Sequence, residues 1–148
     1  MKRASPILAA LLVLIAVQAA TAATVTREPA PLPDLIEDTS CGYLIDVTFP
    51  VNDEYAILQY DGDGNFVRVI IQGPLVATFT NDATGESITA NISGPSIFNA
   101  DGSGKLLGQI GGPVPGFAFL VLFSGYIDTV TGEFHGHLSA NLCEALAP

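Results

Sequence analysis

The sequence predicts an antiparallel all-β domain, a small barrel or sandwich of about eight to nine strands closed by one disulfide. Three observations predict it. Apolar and polar residues alternate over short runs, the period of a strand with one buried face. Turns rich in Gly, Asn and Asp separate those runs at short, even intervals. Two cysteines, Cys41 and Cys143, stand at opposite ends of the strand set. Helical periodicity is absent except for one turn near Glu144 to Leu146.

The amino terminus has its own logic. Lys2 and Arg3 precede an uncharged apolar stretch from Ile7 through Val17, and Ala20-Thr21-Ala22 has the small-x-small pattern of a signal-peptidase site. These are the three parts of a secretory signal, residues 1–22, with cleavage after Ala22 or Ala23. The apolar stretch is shorter than the ~20 residues a spanning helix needs, so no membrane span is expected in the mature chain. The protein is expected outside the cytoplasm, or in the periplasm if its host has an outer membrane. Residues 23–40 carry Pro29, Pro31 and Pro33 among acids and read as an extended arm; residues 41–148 form the domain.

Within the domain, Tyr43, Ile45, Val47, Phe49 and Val51 alternate with Leu44, Asp46, Thr48 and Pro50, giving the first strand. Tyr55 to Tyr60 and Phe66 to Ile71 follow, joined by Asp61-Gly62-Asp63-Gly64-Asn65, whose residues permit the positive φ of a tight hairpin. Leu75 to Thr80 and Ser87 to Ser93 flank Asn81 to Glu86, and Ser96 to Phe98 and Lys105 to Ile110 flank Asn99 to Gly104. A Gly-Pro loop from Gly111 to Gly116 leads into Phe117 to Ile127, and a turn with Thr131-Gly132-Glu133 leads into Phe134 to Leu142. Thr-Gly-Glu also occurs at Thr84 to Glu86, but the strands that follow differ in apolar parity. Shared turn chemistry, not duplication, accounts for the match.

An even cysteine count in an exported chain reads as one disulfide, Cys41 to Cys143. Isolated cysteines lack the clustered spacing of a zinc site. The mature chain keeps Arg27, Arg68 and Lys105 against fifteen acids, a formal charge of −12. Such a balance excludes nucleic acid as a partner and disfavours anionic lipid.

Candidate chemistry is sparse. No cofactor is expected; the one alternative is a divalent metal, to which Glu133, His135 and His137, sharing one face of a strand, would offer a carboxylate and two imidazoles. Against that, Phe134, Gly136 and Leu138 alternate with them and make theirs the expected solvent face. Asp61 to Asn65 begins like a calcium loop, but Phe66 and Gln72 stand where an EF-hand needs Gly and an acid. There is no Gly-x-Ser-x-Gly elbow and no carboxylate pair in an apolar setting, so no enzyme class is supported. Phe117, Phe119, Val121 and Phe123 belong to a strand apolar on both faces. That is the pattern of a covered central strand, of a cavity for a small apolar ligand, or of an interface with another protein or a second copy. Asn91-Ile92-Ser93 is a glycosylation sequon, relevant only in a host that glycosylates.

With these residues laid out, the chain resembles a family of small secreted bacterial all-β proteins of unknown function. The resemblance runs from Cys41 to the end and rests on the Cys41-Gly42-Tyr43 opening, Ala77 to Asn81 with Thr84-Gly85, Asn91-Ile92-Ser93-Gly94-Pro95, the Asp101-Gly102-Ser103 turn, and Leu142-Cys143 with Leu146. It implies a secreted β-domain and brings no catalytic residues. The expected function is a non-enzymatic binding or interaction module. The alternatives are an apolar-ligand carrier with a cavity beside residues 117–123, and a metal-dependent enzyme built on the His-x-His strand.

Overall fold

A computed structural model describes residues 22–113 and 120–148. The signal segment as far as Thr21, together with Phe117 and Phe119, lies outside the described residues. The elements run β1 (Thr24–Pro29), β2 (Leu35–Asp38), β3 (Ile45–Asn52), β4 (Tyr55–Tyr60), β5 (Phe66–Gln72), β6 (Leu75–Asn81), β7 (Ser87–Asn91), β8 (Ser96–Asn99), β9 (Gly104–Pro113), β10 (Leu120–Asp128), β11 (Phe134–Asn141) and the short helix α1 (Leu142–Ala145).

All pairings are antiparallel. They form a large sheet of seven strands, β1-β4-β5-β8-β9-β10-β11, and a small sheet of four, β2-β3-β6-β7. Of the two expected architectures the sandwich is the one formed. No barrel closes, because β1 and β11 lie at opposite edges of the large sheet. The strand count exceeds the expected one because the proline-rich arm supplies β1 and β2. Thr24 to Pro29 pair with Tyr60 to Tyr55, and Leu35 to Asp38 pair with Thr48 to Ile45. An edge strand needs only one side of its ladder, so Pro29 is tolerated at the end of β1. The Asn52 side chain fastens the connector, accepting from Leu32 N at 3.0 Å and donating to Leu32 O at 2.9 Å.

The core follows from alternation. Leu75, Ala77, Phe79 and Asn81 are buried along β6 while Val76, Thr78 and Thr80 are more open. Ile45 and Val47 of β3 join Ala77 and Phe79, and meet Leu120 and Leu122 of β10 with Leu142 and Leu146 of the C-terminal turn. Burying a side chain such as Phe79 contributes about 1.5–3 kcal/mol. Val121, Phe123 and Ile127, on the other face of β10, pack with Leu106 and Ile110 of β9. The Phe134 ring meets Phe123 edge-on at 5.6 Å. Leu120 to Phe123 are therefore covered on both faces, which explains the apolar run without alternation.

The disulfide forms between Cys41, just ahead of β3 in the small sheet, and Cys143 in α1, beyond the last strand of the large sheet; their Cα atoms are 5.1 Å apart. It thus links the two layers of the sandwich. The Tyr43 hydroxyl donates to the Cys143 carbonyl alongside it. Asn141 caps α1 by accepting from Cys143 N and Glu144 N.

The two Thr-Gly-Glu turns share one hydrogen-bond scheme. Asn81 Oδ1 accepts from Ala83 N and Thr84 N, and Asp128 Oδ1 accepts from Val130 N and Thr131 N. Thr84 Oγ1 and Thr131 Oγ1 accept from the amides of Glu86 and Glu133. Gly85 and Gly132 take φ of 74° and 69°, the left-handed position such a hairpin requires. Their common sequence is turn chemistry made visible.

Candidate functional site

The register of the large sheet decides which side chains share a face. One rung runs Arg27–Ile57–Ile70–Ile97–Lys105–Asp128 across β1, β4, β5, β8, β9 and β10. The next rung on one side is Gln59–Arg68–Asn99. On the other side Leu107 pairs with Tyr126 and Tyr126 with His135, and beyond them Gln109–Ser124–His137. Residues two apart on a strand project from the same face, so all of these lie on one surface. On β10 this is also the face of Leu120 and Leu122, which the small sheet covers; further along the strand the apolar pair gives way to Ser124, Tyr126 and Asp128, all partly open to solvent.

Arg27, Arg68 and Lys105, every Arg and Lys among the described residues, project from this surface and are exposed. Local contacts hold each one. The Arg27 guanidinium lies 3.4 Å from the centroid of the Tyr55 ring, and the Tyr55 hydroxyl accepts from Gln72 Nε2 at 3.0 Å. Arg68 Nε donates to Gln59 Oε1 at 2.6 Å, and the residue is exposed. Lys105 Nζ sits 5.2 Å from the Tyr126 ring centroid. Arg68, Ile97, Asn99, Ser103, Lys105 and Asp128 line a cleft of about 250 Å3. Asp128 is held below the usual carboxylate range by the backbone amides of Thr131 and Val130, with Lys105 adding to the effect.

The histidine strand lies at the end of the same face. Glu133 Oε1 accepts from His135 Nε2 at 2.9 Å, and the His135 ring stacks on Tyr126 with centroids 4.6 Å apart. His137 is one step further, opposite Ser124. The expected trio is therefore only partly brought together: Glu133 and His135 engage each other, and His137 faces a hydroxyl side chain. Among the described residues no three His, Cys, Asp or Glu groups lie close enough to hold a metal ion. Val121 and Phe123 are buried in the second apolar cluster. The apolar cavity in this region lies on the Leu120 side of β10, lined by Leu32, Ile36, Val47, Phe49 and Phe79 among others, and measures about 110 Å3. Ligand pockets for drug-sized molecules run to roughly 300 Å3 and more.

The Asp61 to Asn65 loop is a hairpin turn held by its first carboxylate. Asp61 Oδ1 accepts from Asp63 N and Asn65 N at 2.9 Å, and Asn65 Nδ2 donates to Asp61 Oδ2 at 3.0 Å. Those bonds, Asn65's side chain first, lower the Asp61 pKa. No protein-family model, curated protein or solved structure matches this chain.

The cationic face is the feature that reading the sequence missed. Alternation assigns a face within each strand, so Gln59, Arg68 and Lys105 were each readable as outward. Their convergence depends on the order β1-β4-β5-β8-β9, which turn signals do not encode.

Among the described residues no helix is long and apolar enough to cross a membrane. The formed disulfide is of the kind that persists in oxidising compartments.

Proposed function

We propose that the chain is an exported, non-enzymatic β-sandwich domain that binds an extracellular partner on the part of its large sheet's inner face that the small sheet leaves uncovered. The observation that carries this reading is the placement of Arg27, Arg68 and Lys105, all the fixed cations of an acidic domain, on one exposed face together with amide, hydroxyl and aromatic side chains. The signal-like amino terminus and the disulfide support export. The resemblance to small secreted β-proteins points the same way.

Two features favour binding over catalysis. A general acid needs a raised carboxyl pKa, whereas turn amides and hydroxyls push Asp61, Asp101 and Asp128 down. Glu54, which burial pushes up, lines a cleft with Arg27, Asn52 and Tyr55 that holds no histidine, serine or threonine hydroxyl, or thiol among the described residues. The histidine with a carboxylate partner, His135, stacks on Tyr126 at an exposed edge strand.

Native mass spectrometry of protein recovered from its own host's medium tests the reading. The expected spectrum has a mass set by cleavage after Ala22 or Ala23, two hydrogens short, with a retained ligand or partner. A cell-retained chain with its leader intact and thiols free overturns export. A bare monomer, together with amide shifts on the cationic face that no fraction of that medium perturbs, overturns binding.

A further inference from the structure

Taking the binding-domain reading as its basis, we propose that this uncovered part of the large sheet's inner face binds a carboxylate-bearing polysaccharide laid across the strands. Arg27, Arg68 and Lys105 stand on β1, β5 and β9, which are alternate strands in the sheet order. Neighbouring strands are about 4.8 Å apart, so the cationic groups recur at roughly 10 Å across the sheet. They stay close to one line: Arg27 and Lys105 share a rung, with Arg68 one step to the side. The result is a belt perpendicular to the strands.

Acids are few on this face but present: Asp128 is the one acid on the large sheet's strands that shares it, Glu133 lies at its margin, and Glu28, Asp53 and Glu54 line the cleft at the Arg27 end. Between Arg27 and Lys105 on their shared rung lie Ile57, Ile70 and Ile97, an apolar strip on which a sugar ring can rest. The flanking rungs supply Gln59, Gln72 and Asn99, with Ser103 in the adjoining turn, as amides and a hydroxyl suited to sugar hydroxyls. Arg68 is exposed with its Nε on Gln59, and a guanidinium so held suits bidentate contact with a carboxylate. A nucleic acid fits less well: its phosphates are denser than the belt, and the domain's net negative charge repels them beyond it. Sparse carboxylates separated by hydroxyl-rich rings match both the spacing and the chemistry.

The test titrates the full disulfide-bonded protein with a short oligosaccharide carrying a glucuronate on every second ring, with its methyl ester and with single-stranded DNA, by calorimetry and by amide chemical shifts. The expected result is salt-sensitive binding of the glucuronate oligosaccharide, with shifts on β5, β8 and β9. The R68A/K105A double variant is expected to lose about tenfold or more in affinity, while Glu37→Gln on the small sheet does not weaken binding. A second variant, Arg68→Gln, keeps the strand's polar surface if the double variant folds poorly. Equal binding of the ester overturns the carboxylate reading yet leaves this face a binding face. Tighter binding of DNA, or unchanged affinity in both variants, overturns the polysaccharide. No response to any oligomer overturns this proposal alone, since a retained partner in the spectrum described above still supports the broader reading.

Discussion

The side-chain amide of Asn81 donates to the carbonyl of Leu146 at 2.8 Å, tying the end of β6 to the turn that closes the chain. Asn81 is fully buried, and its Oδ1 also accepts from Ala83 N and Thr84 N. The equivalent residue in the twin turn is Asp128, which has the same amide partners but no carbonyl to serve. Burial and the need for a donor account for asparagine at one turn and aspartate at the other.

Asn81→Ala is therefore expected to lower stability by about 2–4 kcal/mol, because it orphans buried groups on both sides. Asn81→Asp keeps the acceptor and removes the donor, placing a carboxylate against the Leu146 carbonyl. That variant is expected to be destabilised at neutral pH and to recover part of the loss in acid, as the new carboxyl protonates and regains a donor. Urea unfolding at several pH values checks both; equal midpoints for Asn81→Asp and the parent at neutral pH would contradict the role given to Asn81.

Asp128 titrates in the opposite sense. Its folded-state pKa is depressed, chiefly by the amides of Thr131 and Val130. Its contribution is complete above the ordinary Asp value of about 4 and disappears as pH falls through the lower folded value. Asp128→Asn keeps the turn, as Asn81 does in its twin, so stability near neutrality is expected to change little while this part of the acid dependence vanishes. Carboxyl-detected NMR of the parent should place the Asp128 midpoint below the ordinary value.

Gly125 and Gly136 face each other across β10 and β11 at φ of 149° and 151°. A Cβ on Gly136 would sit 2.0 Å from the Ser124 carbonyl oxygen. Gly64, at φ 83°, has nothing within 4 Å of its Cβ position. Gly64→Ala is expected to cost about 1 kcal/mol, the strain of the turn alone, and Gly136→Ala more than about 3 kcal/mol because backbone must move. Comparable melting temperatures for the two variants would rule out close approach as the reason for Gly136.

Removing the bond between Cys41 and Cys143 by a double serine substitution is expected to cost about 2–5 kcal/mol, since it closes a long loop and couples the layers. Guanidinium unfolding of oxidised and reduced protein reads the same quantity. Coincident transitions would show that packing alone holds the sheets together.

Much of the fold was legible because its signals are local. Alternation at Ile45 and Val47, and again at Leu75, Ala77 and Phe79, marks the inward residues. The Asx and Gly pairs at Asp61 and Gly64, and at Asp128 and Gly132, mark the turns. The spacing of Cys41 and Cys143 marks the bridge. Three things were not legible. The arm carries prolines and shows little alternation, yet its extended backbone pairs with β4 and β3. Phe134 and Leu138 have the parity of a buried face, yet each is 44% exposed, because β11 ends the sheet and nothing pairs beyond it among the described residues. The cationic belt required strand order, which depends on contacts between residues far apart in the chain.

The chain visits the two sheets in alternation: β2 and β3 in the small one, β4 and β5 in the large, β6 and β7 in the small, then β8 to β11 in the large. Neither layer is complete before the other is begun, and Leu142, Cys143 and Leu146 complete the core from the far end. Contacts of such high sequence separation slow folding and defer completion of the core until the final turn is present. A polypeptide passing end-first through a narrow channel would thus stay threadable for longer than one whose layers closed in succession.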